Sequence, residues 1–156
     1  MTDTTNIKGV RVAPSWEELK MEPYQAELKE VAKDNDDFRR VLFTGAHSQL
    51  VIMALAMDEE IGEEVHDVDQ ILYAVEGEGE AFLDGRRKSF EKGDVVAVPA
   101  GTRHNIRNTD TKPLRLFTIY APPQHPAGTL HHTKADADAG ETKLRVTTPL
   151  AGGNAK

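Results

Sequence analysis

His104 closes a run in which Gly93, Pro99, Gly101, His104 and Asn108 stand at fixed offsets around two short apolar stretches. Pro99 fixes φ and Gly101 permits positive φ, so a tight turn returns the chain into a strand that carries His104 on one face. Upstream, Glu64-Val65-His66-Asp67-Val68-Asp69-Gln70 offers three more ligand-type side chains. Residues two apart share a face of an extended strand, so Glu64, His66 and Gln70 point together. Asp67 and Asp69 point away unless a bulge intervenes. Glu64, His66, Gln70 and His104 converging inside a small barrel would make a metal site with two nitrogen and two oxygen donors. That set suits Mn²⁺, Fe²⁺, Co²⁺, Ni²⁺ or Zn²⁺, and a chain without cysteine has no thiolate site. Four protein ligands on an octahedral ion leave two positions open for Lewis-acid, water-activating or dioxygen chemistry. The plainer alternative is a histidine satisfied in an apolar core, with Glu64 and Gln70 facing solvent on an edge.

The elements that must position these groups are short and β-rich. From Phe38 onward, runs at 40–44, 49–57, 70–75, 80–83, 89–90, 95–98, 105–107 and 114–120 alternate with Gly, Pro, Asn and Asp turns. Asp84-Gly85 is a two-residue hairpin signal. Many short strands at this spacing predict a sandwich or closed barrel. If Gln70 faces inward, so do Leu72 and Ala74, with Tyr73 and Val75 on the other face. His104 inward brings Ile106 with it, and Val96, Val98 and Met53 complete the predicted lining of a mostly apolar pocket around a polar centre. The structural alternative for each of these is core packing.

Before the barrel, residues 1–37 read as a polar arm and helical segment. Ser15-Trp16-Glu17-Glu18 opens a helix, Pro23 ends or kinks it, and Tyr24, Leu28 and Val31 form a stripe continuing through Lys33. The barrel is expected over 38–125 and a loosely packed extension over 126–156, with one short strand at Leu144-Arg145-Val146. His47 lies in a turn entering a strand, from which it could approach the barrel mouth and donate a hydrogen bond to a metal-ligating side chain; the plainer alternative is an exposed or capping residue. His125, His131 and His132 read as exposed or capping residues.

With 26 acidic against 19 basic residues, the net charge of −7 disfavours nucleic acid and anionic membranes as partners. No apolar run approaches spanning length, and the first residues lack the charged and apolar blocks of a signal peptide. The expectation is a cytoplasmic protein whose partner is a small molecule.

Residues 93–108 match G-x5-P-x-G-x2-H-x3-N at every fixed position, and in this the chain resembles the cupin family. That family's other motif, G-x5-H-x-H-x3-4-E-x6-G, fits with departures when Gly77 is its last glycine. Glu64 then stands for the first histidine, His66 is the second, Gln70 stands for the glutamate, and Asp58 stands for the opening glycine. The likeness is to small single-domain bacterial cupins, sometimes labelled mannose-6-phosphate-isomerase-like. It implies an all-β jelly-roll barrel with a short helical N-terminal extension. It also implies a divalent metal on Glu64, His66, Gln70 and His104, and a homodimer. Cupins include dioxygenases, decarboxylases, isomerases and epimerases as well as non-enzymatic binders, and fold alone does not choose among them. The reading is a metal-dependent enzyme, of isomerase or dioxygenase type, acting on a small oxygen-rich molecule, with its catalytic residues unassigned. The alternative is a non-catalytic metal-dependent domain that binds or senses a small ligand.

Overall fold

The computed structural model describes residues 21–147. One short helix, α1 (Leu28–Lys33), precedes eight strands: β1 (Arg39–Thr44), β2 (Gln49–Leu55), β3 (Asp69–Glu76), β4 (Glu78–Leu83), β5 (Arg86–Glu91), β6 (Val95–Val98), β7 (His104–Asn108) and β8 (Leu114–Ala121). A two-residue strand, β9 (Leu130–His131), and a helix, α2 (Lys134–Thr147), follow. The strands form a six-stranded sheet, β6-β3-β8-β2-β1-β9, and a three-stranded sheet, β5-β4-β7. Pairing throughout is antiparallel.

Alternation decides which side chains meet between the sheets. Val51, Met53, Leu72, Ala74, Leu114 and Leu116 of the large sheet pack against Ala81, Phe90 and Ile106 of the small one. The opposite face of the large sheet presents Ile52, Val75, Tyr73 and Phe117 to Leu28, Val31 and Ala32 of α1. The predicted parity of β3 therefore holds, with Leu72 and Ala74 inward and Tyr73 and Val75 outward. At the β4–β5 hairpin, Asp84 and Gly85 take φ of 50° and 80°, the pair of positive values that a two-residue turn requires.

The helical segments differ from expectation. The stripe begins at Leu28, and Tyr24 is exposed outside the helix. A helix of one and a half turns is held by its packing on the sheet, since nucleation disfavours short helices in isolation. Arg115 anchors its exit, donating to Asn35 O at 3.0 Å, Asp36 at 2.7 Å and Glu76 at 3.1 Å. The helix expected from Ser15 lies outside the described residues. Where a strand was expected at 144–146, α2 continues instead. Thr133 and Asp136 start that helix reciprocally: Asp136 N donates to Thr133 Oγ1 at 3.1 Å and Thr133 N to Asp136 Oδ2 at 3.3 Å. Of the extension expected to be loosely packed, residues 130–137 are tied in. β9 pairs with β1, and Ala137 is 2 % exposed within the core. No helix among the described residues is long and apolar enough to cross a membrane.

Candidate metal centre

Two backbone devices bring the predicted ligands together. The segment before β3 runs beside β7, where Glu64 N donates to His104 O at 2.9 Å and His104 N to Glu64 O at 3.0 Å. The Pro99–Gly101 turn then latches onto the other ligand segment, because Gly101 N donates to His66 O at 2.7 Å. Gly101 has φ of 84°, a conformation that favours glycine, so its place in the motif has a geometric reason. Asn108, the last motif residue, is structural. Its buried amide donates to Leu55 O, Ala56 O and Lys112 O, and its oxygen accepts from Asp110 N.

The side chains converge. Ligand atoms of Glu64, His66 and His104 lie within 4.8 Å of one another. Glu64 Oε2 is 2.9 Å from His66 Nε2, and the rings of His66 and His104 are 5.2 Å apart. His104, 5 % exposed, donates from Nδ1 to Thr102 O at 2.8 Å. In the neutral ring this leaves a lone pair on Nε2, and Gln70 Oε1 faces it at 3.0 Å. Gln70 is oriented by Thr118, whose buried hydroxyl accepts from Nε2 at 3.0 Å. Two acceptors that face each other repel unless a metal ion draws both lone pairs, the ring takes a second proton, or the amide turns over to donate. Together with the carboxylate of Glu64 and the imidazole of His66, this donor set fits a divalent ion. Asp67 is exposed, and Asp69 Oδ1 instead accepts from Ala100 N at 2.9 Å to brace the turn.

A cleft of about 530 Å³ opens on the site and is bordered by Glu64, His66, Gln124, His125, Lys134 and Asp138 among others. Leu72, Ala74, Val98, Ile106 and Met53 are packed in the core, with Val96 partly buried against them, and none of the six borders this cleft. His47 is exposed in the β1–β2 connection and is not part of it.

His125, expected to be exposed or capping, is partly buried beside the cleft. Its ring stands edge-on to Tyr120 at 5.1 Å, and Tyr120 stands edge-on to His66 at 6.0 Å. Burial, with smaller contributions from Arg39, His66 and His131, depresses its pKa to about 3. One signal was legible: Leu114, Leu116, Thr118 and Tyr120 alternate inward along β8, which aims the chain at the barrel mouth just before His125.

An all-β barrel with a histidine-carboxylate centre held by this glycine-proline turn defines a class of protein, and comparison with known proteins gives the same class. Residues 51–120 match the model of the cupin domain. The chain is 43 % identical over 127 residues to the uncharacterized protein YrkC of Bacillus subtilis, covering 76 % of this chain and 68 % of that one. The crystal structure of BH2720 from Bacillus halodurans superposes with a TM-score of 0.74 at 42 % identity, covering 76 % of this chain and 95 % of that one. An acireductone dioxygenase of Parvibaculum lavamentivorans is 30 % identical over 99 residues, 53 % of each chain. The chain belongs to the cupin family, and its fold is that family's jelly-roll β-barrel.

Proposed function

We propose that this cupin holds one divalent metal ion on Glu64, His66, Gln70 and His104 and acts as an enzyme on a small, oxygen-rich molecule, by proton transfer or by oxygenation. The observation that carries the reading is the convergence of Glu64, His66 and His104 ligand atoms within 4.8 Å of one another, with Gln70 Oε1 3.0 Å from His104 Nε2. When bound there, the ion would supply Lewis acidity toward a chelating oxygen of the substrate. The chain's own residues do the rest. Thr102 O fixes the His104 tautomer, Thr118 aims the Gln70 oxygen, and burial of both side chains excludes water from one side of the centre. Likeness to an acireductone dioxygenase over 99 residues supports a reactive centre. The same reading places the protein in the cytoplasm as a homodimer that binds neither nucleic acid nor membrane.

Elemental analysis tests the ligand set. The parent and Asp67→Ala carry about one ion per chain, whereas His66→Ala and His104→Ala carry less than a tenth of that. A His104→Ala protein with its full metal complement would refute the assignment. Oxygen uptake by the loaded protein with hydroxy and keto acids reads oxygenation, and carbon-bound proton exchange in D2O reads isomerase chemistry. Tight binding of such acids with neither signal would leave the non-catalytic reading.

A further inference from the structure

Val65 stands between two of the ligand residues and turns the other way. Alternation sends Glu64 and His66 toward the centre and leaves Val65 58 % exposed, on the border of the cleft described above. A single exposed valine is ordinary on a protein surface. This one also borders a second hollow, of about 550 Å³, together with His66, Asp67, Ala100, Gly101 and Gln124. Val65, His66 and Gln124 line both spaces, so the hollow continues from the metal cleft. Its floor is aliphatic, made by the Val65 and Ala100 side chains and by Gly101, over which a Cβ would meet no atom within 4 Å. Its walls are fixed from behind by their backbone N–H groups. Gly101 N donates to His66 O at 2.7 Å and Ala100 N to Asp69 Oδ1 at 2.9 Å. Gln124 N donates at 3.1 Å to Oε1 of Gln49, which is fully buried at the start of β2 and also accepts from His125 N at 2.9 Å. A preformed apolar hollow beside a few polar groups is the make-up of a small-ligand site.

We propose that Val65 sets the ligand specificity of this centre: it seats an aliphatic substituent of the small molecule whose oxygens chelate the metal. The proposal rests on the metal reading above, because the ion holds the head of that molecule while the hollow takes its chain. The two spaces divide the work. Beside Glu64 the cleft is polar, with Glu63, Lys134 and Asp138 on its border. Beyond Val65 the border carries one charged side chain, the exposed Asp67. A molecule polar throughout would leave Val65 and Ala100 in water and gain nothing from them. One with a short alkyl chain next to its chelating oxygens removes both from water and is favoured for every methylene it buries. The class is therefore a small oxygen chelator with an alkyl branch, and the hollow itself asks for no charge on the chelating head.

Cobalt(II)-loaded protein titrated with acetohydroxamic, butanohydroxamic and hexanohydroxamic acids, followed by the visible cobalt spectrum, tests this without requiring turnover. These probes share one chelating head and differ only in their alkyl chain. In the parent, affinity is expected to rise about twofold per added methylene, below the value for full burial because the hollow is open on one side. Val65→Thr keeps the β-branched shape and puts a hydroxyl on the floor, and Val65→Ile keeps the floor apolar. The rise from the shortest probe to the longest is expected to be at least about threefold smaller in the Thr variant and to be retained in the Ile variant. A parent whose affinity is indifferent to chain length overturns the hollow as a ligand seat. An undiminished rise in Val65→Thr overturns the role of Val65. A parent that binds no cobalt overturns the metal reading and this proposal with it. A parent that sediments as a dimer and becomes a monomer in Val65→Thr makes the valine a contact between copies and overturns its role toward a ligand.

Discussion

Gln70 occupies the position where the family's motif has its carboxylate, and Glu64 occupies that of a histidine. The exchange conserves charge, one carboxylate among neutral donors, and it keeps the strand parity that made these residues legible together. The structure brings all four together because parity is local and the turn at Pro99–Gly101 supplies the one long-range connection. His125 was not legible in this way. Its environment comes first from burial and then from the charges of Arg39 on β1 and His66, both distant in sequence, and of His131 on β9. The sign of its effect on stability follows from the depressed pKa. Above about pH 6.5 neither folded nor unfolded His125 is protonated. Between about 6.5 and 3 the unfolded chain takes a proton that the folded one refuses, so stability falls with pH by at most about 1.4 kcal/mol per unit. Urea unfolding at about pH 6.5 and 4.5 should therefore show a smaller loss in His125→Phe than in the parent, carboxylate titration being common to both. Equal losses would mean that the imidazole titrates freely in the fold.

At the level of elements, the strands were readable because alternation and turn residues agree, as at Asp84-Gly85. Elements outside the barrel were less so. Nothing local distinguishes the six residues that form α1 from the four before them, since the packing partners of Leu28 and Val31 lie on β2, β3 and β8. The Thr133-x-x-Asp136 signal that starts α2 was present but lay in a segment whose composition resembles a loose tail. Gln49 is the clearest case of meaning supplied from afar. In sequence it opens an apolar strand, and in the fold it ties β2 to residues 124–125. Gln49→Ala removes those hydrogen bonds and leaves a void, which should cost about 3 kcal/mol. Equilibrium urea denaturation measures it. A loss below about 1 kcal/mol would show that water replaces the clip at little cost.

For the whole molecule, the outer face of the six-stranded sheet is unevenly covered. α1 shields the part around Ile52 and Val75, but toward β6 the face stays open, with Val95 62 % and Ile71 41 % exposed. These two are diagonal neighbours across the β3–β6 pair, where Ile71 opposes Ala97 and Tyr73 opposes Val95. β6 is also a sheet edge with its outer backbone groups unmatched by another strand among the described residues. An apolar face that continues onto an open edge is the arrangement a protein must cover or blunt, and β6 carries no charged residue to blunt it. A second copy is the occupant we favour. Two chains each bearing a net charge of −7 repel at long range, so a contact between copies would have to come from apolar burial at a patch such as this one. Ile71→Lys with Val95→Lys puts a cation on each side of the proposed interface without touching the core. The double variant should keep the parent's unfolding midpoint to within a few degrees and sediment as a monomer at concentrations where the parent is a dimer. Sedimentation equilibrium decides it: a dimeric double variant moves the interface off this face, and a monomeric parent removes the dimer.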